Sequence, residues 1–283
     1  MEMLNLGCGE KFHKKWVNID FASHHENVIA HNLLKGIPFD ENVFDVVYHS
    51  HVLEHFARGD GKAFITECYR VLKPGGILRV AVPDLEQIVK NYLQCLDGAL
   101  VGDKESTYNY EWIMLELYDQ TVRNQSGGEM AKFFYKENIE NEEFVFSRIG
   151  QEGKQIRDKF LNARIKSTIS EDSIKDEQAK NRLSKFKFYI SRLKNLLSRK
   201  DRKKADNTNL YAEIGRFRLG GEIHQWMYDR YSLGKLLDDT GFANIQVTTA
   251  FNSMIPDWNY FELESRNGFI YKPDSLFVEA IKK

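Results

Sequence analysis

The chain has 283 residues, of which 42% are hydrophobic and 13% aromatic, and its formal net charge is -1. This length fits one large domain or a domain with a sizeable insertion, and the composition excludes a disordered or fibrous protein. The near-zero net charge gives the molecule no electrostatic preference for nucleic acid, so we expect no nucleic-acid partner.

The cysteines and the apolar segments indicate the cellular compartment of the protein. Cys8, Cys68 and Cys95 form no CxxC pair, which disfavours a disulfide framework or a structural zinc site. No signal-peptide pattern opens the sequence, and no apolar run approaches the roughly 20 residues that span a bilayer. We therefore expect a soluble, cytoplasmic protein.

Short apolar runs alternate with helical patterns near both ends of the chain. Five strands are predicted first, over 3–6, 16–20, 27–30, 44–48 and 77–82. A helix is predicted over 61–72, where a Lys-Pro-Gly-Gly turn ends it. Further along, the pattern predicts a helix over 231–239 and strands over 244–251 and 275–281. Such alternation predicts an α/β fold with a seven-stranded, mostly parallel sheet between helices.

The middle of the chain has a different pattern. Residues 85–218 show long helical periodicity, little alternation and a dense charge run, and this segment is too long for a structureless loop. We predict a helical insertion or lid after the fifth strand, partly flexible over 165–208. Residues 1–84 and 219–283 then form the Rossmann-like domain.

A glycine turn follows the first strand. Gly7 and Gly9 allow the backbone to turn sharply and to approach a ligand closely, and the exposed amides of such a turn hold anions. The second strand ends at Asp20, where a carboxylate can accept hydrogen bonds from both hydroxyls of a ribose. A dinucleotide site is the competing interpretation. It would need a third glycine where Phe12 stands and a longer crossover helix than residues 10–15 allow.

Four ordered motifs carry a family resemblance. They are Leu-Asn-Leu-Gly-Cys-Gly followed by Trp-Val-Asn-Ile-Asp, Phe-Asp-Val-Val-Tyr followed by His-Val-Leu-Glu-His, Arg-Val-Leu-Lys-Pro-Gly-Gly, and His-Gln-Trp-Met-Tyr-Asp-Arg. Together they resemble class I S-adenosylmethionine (SAM)-dependent methyltransferases of the methyltransferase-11 type. More narrowly, they resemble a branch with a shortened first crossover that is associated with bacterial glycan biosynthesis. The resemblance covers 3–83 and about 220–283.

The resemblance implies SAM as the cofactor and S-adenosylhomocysteine (SAH) as its product. Gly7 and Gly9 border the methionine moiety, Asp20 binds the ribose, and Asn32 and Leu33 flank the adenine. Many relatives carry aspartate at position 32, and an asparagine can still accept from the adenine amino group through its carbonyl oxygen. The remaining residues of the implied cofactor site are Asn5, Cys8, His49 and Ser50.

Transfer of a methyl group to a sugar hydroxyl requires a general base, for which histidine has a suitable pKa. We predict His224 and His51 as the catalytic candidates. His51 and His55 share one face if a helix begins there, but the pattern is not His-Glu-x-x-His, and we expect no metal site.

Other residues are candidates for substrate contact. His55 is either a substrate contact or a structural histidine that satisfies backbone groups. Asp84 follows the fifth strand and is a substrate contact or a helix N-cap. Trp258 and Tyr260, in a proline-containing loop, are candidates for a substrate lid.

A basic, amphipathic stretch covers residues 185–204. Such a helix can lie on an anionic membrane surface, so a peripheral location at the inner face of the membrane is one interpretation. A solvated helix that packs its apolar side on the domain is the other.

The predicted function is therefore O-methylation of a sugar or glycan intermediate by a SAM-dependent methyltransferase. One alternative is N-methylation of an amino sugar or small amine, which needs no strong base. A second alternative is a SAM-binding scaffold without catalysis.

Overall fold

The computed structural model describes residues 1–23, 25–173 and 205–283. The strands are β1 (Met3–Leu6), β2 (Val17–Asp20), β3 (Val28–Ala30), β4 (Phe44–Ser50), β5 (Leu72–Pro83), β6 (Phe242–Thr248), β7 (Ser265–Arg266), β8 (Phe269–Ile270) and β9 (Ser275–Lys282). The helices are α1 (Arg58–Val71), α2 (Leu85–Leu100), α3 (Lys104–Val122), α4 (Gly128–Phe134), α5 (Glu142–Ser173), α6 (Ala205–Arg218) and α7 (Arg230–Thr240). Single 3-10 turns cover Leu33–Lys35, Leu53–His55 and Trp258–Phe261.

Seven strands form one sheet in the order β3-β2-β1-β4-β5-β9-β6. The pairs from β3 through to β5 are parallel, and β9 runs antiparallel to both β5 and β6. The predicted seven-stranded, mostly parallel Rossmann-like fold is confirmed. Because β1, β2, β4 and β5 are parallel, their carboxyl ends lie along one edge of the sheet, where open α/β sheets bind ligands.

The core lies between the sheet and the amphipathic helices α1 and α7. The helical spacing of α1 buries Phe64, Ile65 and Cys68 against the sheet, and α7 buries Leu233 and Leu237. Burying side chains of this size stabilises the fold by about 1.5–3 kcal/mol each. The core therefore fixes the parallel strands whose ends carry the candidate site.

Several predicted boundaries were wrong. Helix α1 begins at Arg58 instead of 61, and β5 begins at Leu72 instead of 77. Strand β6 begins at Phe242, directly after Gly241 ends α7 in a left-handed conformation. Hydrophobic periodicity does not locate such a boundary to the residue, because a cap satisfies the last helical carbonyls within one or two residues.

The described part of 85–218 is helical. Helices α3, α4 and α5 enclose a second apolar cluster that contains Trp112, Phe133, Phe134, Ile139 and Val145, and α5 is kinked at Gly150. The division of the chain into a Rossmann-like domain and an insertion remains a prediction. The basic stretch at 185–204 lies outside the described residues, as does most of the predicted flexible segment 165–208. Among the described helices, none has the length and apolarity needed to cross a membrane.

Candidate functional site

The predicted glycine turn connects β1 to the loop before β2. Gly7 and Gly9 have φ angles of 64° and 52°, in the left-handed region that glycine adopts without steric cost. A Cβ on Gly7 would lie 2.3 Å from Cγ2 of Val52, whereas a Cβ on Gly9 would meet nothing within 4 Å. Gly7 is therefore required by packing, and Gly9 borders open space.

Asp20 ends β2 beside this turn. Its Oδ2 accepts a hydrogen bond from the Gly9 amide at 2.7 Å, and the Cys8 amide donates to the carbonyl of Ile19 at 3.1 Å. These bonds hold the turn and the carboxylate together at the edge of the sheet. The carboxylate is partly exposed, so its remaining lone pairs face solvent, where a ligand hydroxyl can reach them.

Three other predicted cofactor residues, Asn5, Cys8 and Ser50, also lie near the turn. Asn5 is buried and donates to the Lys11 carbonyl at 3.1 Å and to Asn18 Oδ1 at 3.2 Å, which ties the turn to β2. A cavity of about 30 Å³ next to the turn is lined by Asn5, Gly7, Cys8 and Ser50. Burial raises the pKa of the Cys8 thiol to about 12, so this cysteine is neutral and acts as a packing residue.

Asn32 and Leu33, which the resemblance implies beside the adenine, and His49, which it implies beside the cofactor, all contact other parts of the protein. Asn32 Oδ1 accepts from the Leu34 amide at 3.0 Å and caps a 3-10 turn, while Leu33 packs against the main core. The His49 ring is fully buried with its centroid 5.0 Å from that of Phe64. Burial lowers the pKa of His49 to about 4, so this imidazole is neutral and faces the core.

A second, larger cavity of about 600 Å³ lies beyond the ends of β4 and β5. One wall comes from the loop after β4, with His51, Glu54 and His55, and another from helices α3, α4 and α5. The segment 221–227 and residues 272–274 close the remaining sides. This cavity has a size typical of small-molecule sites.

A buried carboxylate lies at the junction of these walls. Glu54 is fully buried, and its Oε1 is 3.2 Å from His51 Nδ1, 4.0 Å from His55 Nε2 and 4.0 Å from His224 Nε2. Among the described residues, neither carboxylate oxygen has a partner in hydrogen-bond geometry. The "Glu54 cluster", as we call these four residues, is therefore a polar centre with unused acceptor capacity that opens into the large cavity.

Charge in the Glu54 cluster resides on the carboxylate. Burial raises the pKa of Glu54, but the contact with His51 and the proximity of His224 and His55 outweigh burial and bring it to about 2. Burial lowers the pKa of His224 to about 3 and also lowers that of His51. The resting cluster thus contains one carboxylate, with His51 and His224 as neutral imidazoles.

His51 links the two cavities. Its backbone φ is 54°, an uncommon conformation outside glycine that clusters at functional sites. The His51 Nε2 lies 2.8 Å from Oγ of Ser275, which lines the small cavity, and its Nδ1 faces Glu54 in the large one. No α-helix begins at His51, and the 3-10 turn Leu53–His55 follows it. His51 and His55 nevertheless converge on Glu54.

The segment that carries His224 is fixed to the Glu54 loop by its backbone. The Gln225 and Trp226 amides donate to the Glu54 carbonyl at 2.7 and 3.2 Å, and the His224 amide donates to the Gln120 carbonyl at 2.9 Å. Gln225 Nε2 also donates to the His55 carbonyl at 2.9 Å. These bonds bring distant parts of the sequence to one preorganised position.

Three predicted substrate residues lie apart from the cluster. Asp84 Oδ1 accepts from the Gln87 amide at 3.2 Å, so the N-cap interpretation is confirmed. Trp258 was wrongly predicted as a lid, because it is buried, donates to the Ala250 carbonyl at 2.9 Å and stacks on Arg79. Tyr260 is exposed, with Lys15 over its ring at 4.6 Å.

The sequence interpretation missed residues whose roles depend on long-range contacts. Glu54 stands between two candidate histidines, and its position there was the available signal. Glu152 on α5 pairs with Lys11 at 2.9 Å and lies 3.6 Å from Lys272, so it joins the glycine turn to the large cavity. No local pattern identifies Glu152, because all three residues belong to separate segments.

Part of the chain is similar in sequence to known methyltransferases. Residues 15–80 match a family model described as a methyltransferase domain, which confirms the predicted domain type over this segment. A probable S-adenosylmethionine-dependent methyltransferase from Mycolicibacterium smegmatis is 29% identical over 100 residues, which are 29% of this chain and 38% of the relative. The match thus spans little more than a third of the relative's length.

Two solved structures align over almost the whole chain. A SAM-dependent methyltransferase from Archaeoglobus fulgidus has 10% identity and a TM-score of 0.36, and the alignment covers 99% of this chain and 86% of that one. PKMT2 from Rickettsia typhi, in complex with AdoHcy, has 12% identity and a TM-score of 0.34, with 99% and 48% covered. At these scores the two structures carry no conclusion about the ligand or the substrate.

Proposed function

We propose that this chain is a SAM-dependent methyltransferase that O-methylates a sugar or glycan intermediate. The observation that carries the proposal is the position of His51. This histidine belongs to the Glu54 cluster in the large cavity, and its Nε2 contacts Ser275, which lines the small cavity beside the glycine turn. We call the glycine turn and Asp20 the cofactor edge. Methyl transfer to a hydroxyl requires that the methyl donor and the acceptor are positioned together and that a base removes the hydroxyl proton. An imidazole between the two sites meets both requirements.

The cofactor edge fits SAM. The Asp20 carboxylate has lone pairs free to accept from a ribose diol, and the open space at the Gly9 Cβ position leaves room for a ligand to approach the backbone. Bound SAM supplies an electrophilic methyl group on a sulfonium. In this proposal Gly7, Gly9, Asp20 and Ser50 hold the cofactor.

His51 acts as the general base for the acceptor hydroxyl. Its neutral imidazole can take up the proton, and the Glu54 carboxylate at 3.2 Å stabilises the imidazolium that forms. Ser275 Oγ, 2.8 Å from Nε2, occupies the position of a hydroxyl partner. His224 and His55, which face the same carboxylate, contact the acceptor.

The cavity walls favour a polar acceptor with several hydroxyls. Glu116, Gln120, Arg123 and Glu222 supply hydrogen-bonding groups, and Trp112 supplies an aromatic surface. All of these residues except Glu222 belong to the segment 85–218, so we propose that the insertion determines acceptor specificity. Carboxylates around the cavity also favour N-methylation of an amino sugar as a second candidate, since they attract a cationic amine.

Calorimetry with SAM and SAH tests the cofactor assignment first. We expect micromolar binding by the wild type and at least about a 30-fold loss in Asp20→Ala, because two ribose hydrogen bonds of about 1 kcal/mol or more each disappear. Asp20→Asn keeps the acceptor for the Gly9 amide and should lose less. Asp97→Ala, on an exposed face of α2, is the matched control.

Transfer of labelled methyl from SAM to nucleotide sugars, glycans and amino sugars tests the acceptor. An O-methylated product that disappears in His51→Asn supports the proposal, and an N-methylated product that survives in His51→Asn supports the amine alternative. SAH binding without turnover on any acceptor indicates the non-catalytic scaffold. A wild type that binds neither SAM nor SAH refutes the assignment.

A further inference from the structure

Three side chains of the Glu54 cluster have the chemistry of metal ligands. A carboxylate oxygen of Glu54 and one ring nitrogen each of His55 and His224 all lie within 4.8 Å of one another. Glu54 is fully buried, and among the described residues neither of its oxygens has a hydrogen-bond partner. A buried carboxylate without partners is costly unless a cation or donor compensates its charge.

The tautomer of His55 leaves its Nε2 lone pair available for metal binding. Its Nδ1 lies 3.1 Å from the Ile223 carbonyl, which only accepts hydrogen bonds, so Nδ1 carries the ring proton. The Nε2 lone pair is therefore free and faces Glu54 at 4.0 Å. A ring N–H donated to a backbone carbonyl, with the other nitrogen bare, is the usual arrangement of a metal-binding histidine.

The backbone fixes all three ligands in advance. His55 and Glu54 share one 3-10 turn, and the segment 223–226 is held to that turn by the amides of Gln225 and Trp226. His51, whose Nδ1 is 3.2 Å from Glu54 Oε1, orients the carboxylate from outside the ligand set. The carboxylate oxygen and the two ring nitrogens therefore need to move little to coordinate one ion.

We propose that Glu54, His55 and His224 bind one divalent transition-metal ion, of which Zn²⁺ is the best match. Two imidazoles and one carboxylate suit zinc, whereas magnesium prefers oxygen ligands. Three protein ligands leave at least one coordination position open, as in catalytic zinc sites, and all three residues line the large cavity. This site differs from the sequence-based expectation of no metal.

The metal site rests on geometry alone and not on the proposed methyl transfer. An ion in this position would polarise an acceptor hydroxyl, while His51 stays available as the base. The competing arrangement is a metal-free cluster in which a protonated histidine balances Glu54. Metal binding in the absence of SAM and acceptor distinguishes the two, whatever reaction the chain performs.

The experiment titrates chelator-treated protein with Zn²⁺ by calorimetry, and with Co²⁺ by visible absorption as a probe of coordination. We expect one ion per chain with micromolar or tighter affinity and no comparable binding of Mg²⁺. Glu54→Gln and His224→Asn should each weaken binding at least about 100-fold, because one of three ligands is lost. His51→Asn should keep the one-to-one stoichiometry.

Controls separate the site from adventitious binding and from misfolding. His25→Asn removes an exposed imidazole and should leave the Zn²⁺ affinity unchanged. Thermal unfolding without metal verifies that Glu54→Gln is folded, and Zn²⁺ should raise the melting temperature of the wild type but not of this variant. Absence of stoichiometric uptake by the wild type, or uptake that persists in both Glu54→Gln and His224→Asn, overturns the metal site.

Discussion

The cofactor edge and the Glu54 cluster are built in different ways, although His51 joins them. The cofactor edge takes its groups from β1, β2 and the turn between them, and the backbone supplies most of its polar contacts. The Glu54 cluster takes its side chains from the loop after β4 and from the segment before α7. It is closed by helices from the middle of the chain.

The polar groups of the two regions differ in burial. Asp20 is partly exposed to solvent, so the desolvation cost of its region is small. Glu54 is fully buried, and its side-chain oxygens lack hydrogen-bond partners among the described residues. Unpartnered polar groups persist where a function requires them, so the acceptor side carries most of the energetic cost of the site.

The largest expected effect separates the two regions by kinetics. Glu54→Gln keeps the side-chain shape but removes the charge that stabilises a protonated His51, so we expect kcat to fall at least about 100-fold. The dissociation constant for SAH should stay within about threefold of the wild type. Asp20→Ala should show the opposite pattern, with weakened SAH binding.

Glu111→Gln, on the exposed face of α3, controls for loss of a carboxylate elsewhere. A Glu54→Gln enzyme that retains the wild-type kcat would remove Glu54 from the mechanism. A variant that loses SAH binding together with turnover would show that the two regions are not separable. Kinetics at saturating SAM, combined with calorimetry, measure both quantities.

The sequence was sufficient to predict the glycine turn and the strand that ends at Asp20, because these signals are local. A strand followed by Gly7 and Gly9, and a second strand ending in Asp20, lie within the first 20 residues, and parallel pairing aligns them. The seven-stranded sheet was predictable for the same reason, since each strand is a short apolar run between turn residues. Boundaries were less certain because capping is decided by single residues such as Gly241.

The sequence was insufficient where side chains meet across the fold. His51 and His224 were predicted as separate candidates, but nothing local shows that Glu54 brings them together. Trp258 was misassigned for a similar reason. Its partner Arg79 is fully buried in β5 and is paired with Glu264 and Glu279. No local sequence pattern predicts that Trp258 packs on this buried guanidinium.

The two glycines of the cofactor edge provide a smaller and sharper test. Gly7→Ala adds left-handed strain and a Cβ at 2.3 Å from Val52, so we expect a loss of about 3 kcal/mol in unfolding free energy. Gly9→Ala adds only the strain, about 1 kcal/mol. Because its Cβ would enter the open space expected to hold SAM, Gly9→Ala should weaken SAH binding more than it weakens the fold.

A double-mutant cycle with Val52→Ala checks the origin of the Gly7 effect. If the clash is responsible, Val52→Ala should cost less in the Gly7→Ala background than alone. Chemical denaturation measures stability, and calorimetry measures SAH affinity. Equal losses of stability in Gly7→Ala and Gly9→Ala would contradict the packing role of Gly7.

A pH-dependent effect on stability is expected at Asp274, a partly buried residue in the wall of the large cavity. Burial and the nearby Glu116 carboxylate raise the pKa of Asp274 to about 7, against the opposing charges of Lys272 and Arg148. A carboxyl with a raised pKa binds more protons in the folded state. Its stabilising contribution is therefore present at acidic pH and is lost as the pH rises from about 4 to about 7.

Asp274→Asn removes this ionisation while keeping the side-chain size. We expect the variant to match the wild type near pH 4 and to exceed its unfolding free energy by about 2 kcal/mol at pH 8. Asp97→Asn, on an exposed face of α2, should follow the wild type at every pH. If the difference between Asp274→Asn and the wild type does not change with pH, then Asp274 is ionised throughout and Lys272 compensates its charge. The cost of folding the acceptor side would in that case rest on Glu54, whose side-chain oxygens have no hydrogen-bond partner among the described residues.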